Sequence, residues 1–309
     1  MKIAIASGKG GTGKTTIATN LAHYTARLGQ KVQYLDCDVE EPNGHIFLKP
    51  KIDHSREVTV DVPQVDLEKC TGCGKCGEIC QYGAIVSVKE TVLTFEQLCH
   101  SCGGCWHLCP ADAIKAKPLN IGDIESGKAG GVDFVGGKLR IGYVRTPSLI
   151  KEVKKHIKED RLAIIDVPPG TSCPVVEAVK GTDFVLLVTE PTPFGLNDLK
   201  LTVGLVRKMN LPFAVIINRY GIGDDEVEKY CAAENIDIVL KLPDDRRIAE
   251  AYSSGRIIVD VLSAYKKHFS ELYEYIKRIK AGINDKRRLR VRRKNKSGFR
   301  SSSGSTQNP

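Results

Sequence analysis

Nowhere in its 309 residues does the chain carry an apolar run approaching the roughly 20 residues that a helix needs to cross a bilayer. It opens on Lys2 to Ala6, which reads as a strand and not as the charged and apolar parts of a secretory leader. A transmembrane segment and export are excluded on this reading, and a cytoplasmic location is expected. Aromatic residues are scarce at 6%, with one tryptophan, Trp106. Acid is absent from Lys286 to Pro309, a stretch that holds nine Lys or Arg residues and no aromatic ladder. Sequence-specific nucleic-acid recognition is therefore not expected there. Because the rest of the chain balances at 37 basic against 37 acidic residues, the net charge of +9 belongs to this tail. Its composition resists folding alone, so residues 285–309 read as a basic, disordered end, either simply solvated or facing a polyanion or an acidic partner.

Cysteine, by contrast, is plentiful and ordered. Cys70, Cys73, Cys76 and Cys80 form a Cys-x-x-Cys-x-x-Cys-x-x-x-Cys run, and Cys99, Cys102, Cys105 and Cys109 repeat it 29 residues later. The same offset carries Ala84-Ile85 onto Ala113-Ile114, so the duplication reaches beyond the thiols into apolar positions. Zinc ribbons use separated Cys pairs instead of triplets, and a disulfide framework belongs to secreted chains. The pattern resembles the bacterial two-cluster ferredoxins. That resemblance implies two 4Fe-4S clusters, one on Cys70, Cys73, Cys76 and Cys109, the other on Cys99, Cys102, Cys105 and Cys80. Pro110 follows Cys109 as the pattern has it, whereas Gln81 follows Cys80. Trp106 falls between Cys105 and Cys109, where an indole either shields sulfur from water or packs as core. His100 and His107 read as loop residues, and Cys37, Cys173 and Cys231 as packing thiols.

Ahead of this insert, Gly8-Lys9-Gly10-Gly11-Thr12-Gly13-Lys14-Thr15-Thr16 follows the first strand and opens a helix, Lys14 to Leu28. Glycines let backbone N–H groups turn inward on phosphates, Lys14 reaches the terminal ones, and Thr15 can hold Mg2+. With lysine at position 9 the loop resembles that of the MinD, ParA and Mrp superfamily of P-loop ATPases. In that family the signature lysine, here Lys9, meets nucleotide across a dimer interface. The resemblance continues in Asp36-Cys37-Asp38-Val39-Glu40-Glu41-Pro42-Asn43, which looks like the first switch, with Asp38 positioning the attacking water and Asp36 near Mg2+. It continues in Ile164-Ile165-Asp166-Val167-Pro168-Pro169-Gly170, which looks like the second switch, with Asp166 linked to the metal or its water shell. Asn218 resembles the adenine-reading residue, and Pro243-Asp244 would close over the base. Acids at strand C-terminal ends are where open α/β sheets bind ligands, which supports the same site without the family.

Apolar runs such as Phe184-Val-Leu-Leu-Val predict parallel strands covered on both faces, hence a doubly wound α/β sheet with an inserted α+β ferredoxin-type domain. Strands are expected at 31–35, 162–167, 184–189, 213–218 and 236–240, a helix at 196–209, and a last helix whose stripe Leu262, Tyr265, Phe269, Leu272, Ile276 and Ile279 docks on the sheet. The Gly-rich stretch Gly127 to Gly137 carries no strand assignment. The domains read as 1–59 and 118–284 for the ATPase, 60–117 for the insert and 285–309 for the tail. The resemblance implies ATP, Mg2+, an ATP-dependent homodimer and a redox partner protein. It leaves three functions open: a redox-coupled ATPase, an Mrp-type iron-sulfur carrier, or a partition-type ATPase with a docking or redox-sensing ferredoxin. Closed four-Cys coordination favours the first, because the later half offers only Cys173 and Cys231 for a bridging cluster.

Overall fold

The computed structural model describes the backbone of residues 1–89 and 91–298, with side chains as far as Ile283. The strands are β1 (Lys2–Ala6), β2 (Val32–Asp36), β3 (Lys51–Val65), β4 (Ile85–Val88), β5 (Thr91–Thr94), β6 (Ile114–Ala129), β7 (Val132–Leu139), β8 (Leu162–Asp166), β9 (Phe184–Thr189), β10 (Phe213–Tyr220) and β11 (Ile238–Pro243). The helices are α1 (Lys14–Arg27), α2 (Gly44–Leu48), α3 (Lys75–Ile79), α4 (Gly104–His107), α5 (Thr146–Lys154), α6 (Cys173–Val179), α7 (Pro193–Lys208), α8 (Glu226–Ala233), α9 (Arg246–Ser253), α10 (Ile258–Val261) and α11 (Lys266–Gly298).

Among the described residues the main sheet runs β11-β10-β9-β1-β8-β2-β7-β6-β3. The order from β11 to β7 is parallel throughout, and β6 and β3 add an antiparallel edge. Alternation along β1 shows the double winding: Ile3 and Ile5 enter one apolar layer, Ala4 and Ala6 the other. Tyr265, Phe269, Leu272 and Ile276 pack in the first layer, so the expected stripe docks on the sheet. The helix break lies at Leu262, between α10 and α11.

Three features differ from the sequence reading. The Gly-rich stretch contains β7, which pairs with β2 from Val32↔Val132 to Asp36↔Gly136. A Cβ on Gly137 would lie 2.7 Å from both Val39 and Val153, so the glycine lets the strand pass close to its neighbours. The boundaries expected at 59/60 and 117/118 fall inside one long ribbon, with β3 and β6 paired from Lys51↔Lys128 to Val65↔Ile114 across both. Finally, the backbone of α11 is helical to Gly298, so the first part of the proposed disordered tail continues a helix; from 285 to 296 it is rich in Lys and Arg, good helix formers, and free of Gly and Pro. Residues 299–309 lie outside the described residues.

The end of the ribbon is one half of an internally duplicated unit. Asp66 N–H donates to Ala113 O at 2.7 Å, and 29 residues on, with the roles of the halves exchanged, Phe95 N–H donates to Ala84 O at 2.8 Å. Val65 pairs with Ile114 and Thr94 with Ile85 in the same relation. Positive φ angles repeat as well: Gly72 and Ser101 (66° and 53°), Gly74 and Gly103 (74° and 82°), Gly83 and Asp112 (62° and 49°). The cysteine repeat is thus a backbone repeat with approximate two-fold symmetry.

Candidate functional site

The phosphate loop joins β1 to α1. Gly13 caps the helix at φ 93° and no side chain caps it, so the first N–H groups of α1 are left for an anion. A Cβ at Gly13 would sit 2.4 Å from Asn218 Nδ2, which donates to Thr12 O at 2.8 Å. Asn218 therefore holds the loop from the end of β10. Gly8 has a different reason: a Cβ there would meet Asp198 O of α7 at 2.5 Å.

A cavity of about 400 Å3 opens over the loop, of the size that small-molecule sites have. It is lined by Gly10, Gly11, Gly13, Lys14, Thr15, Thr16, Asp38, Asn218, Pro243 and Asp244, which the sequence reading nominated. Ile248, Ala249 and Tyr252 of α9 also line it and were missed, although the i, i+4 pair Ile248 and Tyr252 is an apolar edge on an otherwise polar helix. Tyr252 rests against Phe47 of α2, ring centres 4.9 Å apart. Asp245 caps α9 by accepting from Arg247 N–H at 2.8 Å. Gly8, Lys9, Thr12, Asp36 and Asp166 do not line the cavity.

Asp36 and Asp166 are register partners on β2 and β8, which places two carboxylates side by side beneath the loop. Both are fully buried. Asp36 accepts from Gly44 N–H at 2.8 Å and Asp38 N–H at 3.3 Å, tying down the segment 36–44. Asp166 Oδ2 accepts from Tyr34 Oη at 2.9 Å, whereas Oδ1 is buried without a partner. Burial raises both carboxyls, and the positive charge of Lys14 opposes the rise at Asp166. Asp38 is raised to about 7, by burial first, then by the neighbouring carboxylates against the pull of Lys14. Lys9 Nζ lies 3.1 Å from Glu190, which Arg219 also approaches at 3.6 Å. In this conformation the lysine turns onto its own chain.

The cysteines line two further, separate cavities. One is bounded by Cys70, Cys73, Cys76 and Cys109 with Pro110 and Ile114; the other by Cys80, Cys99, Cys102 and Cys105 with Trp106, Tyr82 and His100. The crossing of the two runs is the one the resemblance implied. Backbone N–H groups point at sulfur: Ala84 to Cys80 and Ala113 to Cys109, both at 3.3 Å. Burial opposes a fall at the Cys80 thiol, but the backbone donors Tyr82, Ile85, Ala84 and Gly83 carry it down. Trp106 packs beside Cys105 in the small core of the duplicated unit, His100 stacks on Tyr82 with centres 3.6 Å apart, and His107 ends α4. Cys37 and Cys231 are buried; Cys173 is exposed. Among the described residues no three Cys, His, Asp or Glu side chains form a ready-made site for a single metal ion, and no helix is long and apolar enough to cross a membrane.

Residues 3–259 match the CobQ/CobB/MinD/ParA nucleotide-binding domain. The chain is 33% identical to an uncharacterised protein of Methanocaldococcus jannaschii over 90% of this chain and 96% of that one. It is 26% identical to an iron-sulfur cluster carrier protein of Pyrococcus horikoshii, covering 88% and 84% of the two chains. Its fold is similar to the septum site-determining protein MinD of Pyrococcus horikoshii, solved with Mg-ADP, at TM-score 0.58 and 23% identity over 91% and 97% of the chains.

Proposed function

The chain belongs to the CobQ/CobB/MinD/ParA nucleotide-binding family, and from that premise we propose that it is an ATP-hydrolysing iron-sulfur protein coupling a nucleotide-driven dimer cycle to electron transfer through two 4Fe-4S clusters. The observation that carries this reading is the pair of four-cysteine cavities, each drawing three thiols from one run and one from the other, on a ribbon that grows out of the ATPase sheet. The donor sets fit: each cavity has four sulfurs, Cys80 and Cys109 each accept a backbone N–H, and at Cys80 this and the other backbone donors favour thiolate. Bound there, such clusters would supply one-electron carriage.

At the nucleotide, the loop N–H groups and Lys14 hold the phosphates, and the cavity wall of Asn218, Pro243, Asp244 and α9 receives the base. The residues also fit Mg2+, with Thr15 beside the phosphates and Asp166 Oδ1 as a buried acceptor without a partner. Asp166 fits this role better than Asp36, whose two oxygens are engaged by Gly44 and Asp38 N–H groups. Bound there, Mg2+ would neutralise phosphate charge. Asp38 faces the cavity and accepts a hydrogen bond from the attacking water, orienting it on the terminal phosphorus as the bond to the bridging oxygen breaks. Lys9 leaves Glu190 to reach a second copy's nucleotide.

A carrier reading is favoured by the name of the Pyrococcus relatives. It stands second because four-thiol closure at both cavities suits retention over release, and the ATPase half has one exposed thiol, Cys173. Anaerobic iron and acid-labile sulfide analysis with EPR of the reduced protein tests the clusters, and ATPase assays in both redox states test the coupling. Two reducible 4Fe-4S signals are expected; a zinc-loaded, EPR-silent chain would refute the proposal, and loss of the clusters to an apo-acceptor on ATP addition would favour the carrier.

A further inference from the structure

Arg145 lies at the N-terminal end of α5, in the ATPase part of the chain, yet its side chain is spent on the insert. The residue is 3% exposed. Nη1 donates to Ser101 Oγ, Ser101 Oγ donates to Asp61 O, and Ser101 N–H points at Cys99 Sγ at 3.5 Å. Nε and Nη2 are buried and find no acceptor. No carboxylate pairs with Arg145 among the described residues; burial disfavours its charge, and Cys99, then Tyr143, oppose that. A buried guanidinium without an anion is costly, and the chain would shed it unless an anion belongs there.

Four thiolates on an iron-sulfur cube are anionic, and the cavity of Cys80, Cys99, Cys102 and Cys105 adjoins this fork. The other half of the repeat offers no equivalent, because the residue 29 positions before Ser101 is Gly72. The next residue in the chain points the opposite way in function: Thr146 Oγ1 donates to Glu40 Oε1. Glu40 belongs to the segment 36–43 that carries Asp38. Two successive residues thus reach, through Ser101, the Cys99 wall of the cavity and, through Glu40, the segment 36–43.

Resting on the reading of the cavities as cluster sites, we propose that Arg145 is the charge partner of the cluster held by Cys80, Cys99, Cys102 and Cys105, and that Arg145-Thr146 links this cluster to the first switch. A cation beside a cluster favours its more reduced, more negative state, so Arg145 raises the potential of this cluster and leaves the other alone. Thr146 reports movement of Glu40 to the same guanidinium.

The test is an EPR-monitored redox titration of the full chain, on wild type, Arg145→Met and Arg145→Lys, with iron and sulfide measured on each. Arg145→Met is expected to move one of two midpoints to a more negative value by at least a tenfold change in the reduction equilibrium, about 59 mV for one electron. Arg145→Lys, which keeps the charge, is expected to stay near wild type. Selective loss of one cluster in Arg145→Met but not in Arg145→Lys also supports the assignment. Fully loaded Arg145→Met with both midpoints unmoved overturns it, as does equal collapse of both variants, which would make Arg145 a strut of the fold. Iron-free wild type would instead defeat the cluster reading on which the proposal rests. For the link, Mg-ATP in an Asp38→Ala background is expected to shift that same midpoint, and adding Thr146→Val to abolish the shift; a shift surviving Thr146→Val, or none without it, overturns the link.

Discussion

Asp38→Asn should stabilise the resting protein while stopping its chemistry. The folded chain raises the Asp38 carboxyl from the ordinary 3.8 to about 7, chiefly by burial, with Asp166, Glu41 and Glu40 adding repulsion that Lys14 does not cancel. Between those two values the native state holds a proton that the unfolded chain has released, so native stability falls as pH rises through the window, and the full penalty is present above pH 7. Three pH units correspond to about 4 kcal/mol. Because water reaches part of the carboxyl, about 2 kcal/mol is the realistic figure. An uncharged amide of the same shape removes it. For a chain of this size the melting temperature of Asp38→Asn should exceed wild type by about 3 °C at pH 8. At pH 5.5, where wild type is already mostly protonated, the gap should fall to roughly half. Anaerobic thermal melts without nucleotide or magnesium measure both. ATP should still bind to the variant, and turnover should drop by roughly 100-fold or more as the water loses its acceptor. A variant no more stable than wild type at pH 8, or a gap that ignores pH, would show that the carboxylates are not strained against one another as argued.

Lys14→Ala should abolish ATP binding, measured by equilibrium dialysis, since it removes the buried cation beneath the phosphates; equal loss of binding in Asp38→Ala would defeat the division of roles. Gly13→Ala must hold φ 93° and displace Asn218, and the left-handed strain alone, about 1 to 2 kcal/mol, predicts roughly tenfold weaker ATP binding; affinity equal to wild type would mean that the loop yields freely. Lys9→Ala should weaken ATP-dependent dimerisation seen by light scattering, and a dimer as strong as wild type would contradict the cross-subunit role. Cys99→Ser should lose iron at one cavity and leave nucleotide binding nearly intact; failure to bind ATP would show that the two halves fold as one.

Where residue types must satisfy chemistry locally, the sequence was readable. The P-loop needed glycines, a lysine and a threonine between a strand and a helix, and all three kinds of residue fall at one cavity. The 29-residue repeat announced two like cysteine runs, and the crossing between them came from the resemblance to two-cluster ferredoxins, not from the spacing itself. What escaped depended on distant partners. β7 is hidden by Gly136 and Gly137, whose low β propensity is overridden by the neighbouring strands and by α5, against which a side chain would clash. The 15-residue length of β3 draws on pairing with β6, some 60 residues away, which no local pattern announces. Arg145 carries no motif in the sequence, and only the fold buries it against Ser101, beside Cys99.

That burial bears on how the two cysteine cavities are joined to the segment 36–43. Two routes join them. Along the chain, the segment 36–43 runs through α2 directly into β3, one side of the ribbon that carries the insert. Through space, Glu40 meets Thr146 and Arg145 meets Ser101 beside Cys99. The first route moves the insert as a body; the second moves one charge relative to one cavity. A moving ribbon carries both cavities together, whereas withdrawing the guanidinium changes the energy of one redox state at one of them. The second route would therefore give ATP a differential affinity for reduced and oxidised protein that is specific to one cavity. Where such coupling exists it is reciprocal: the redox state that ATP favours must tighten ATP binding by the same free energy, typically about 1 to 3 kcal/mol. With the cation asymmetrically placed, the proposed exchange falls on the cavity beside Cys99 and spares the other.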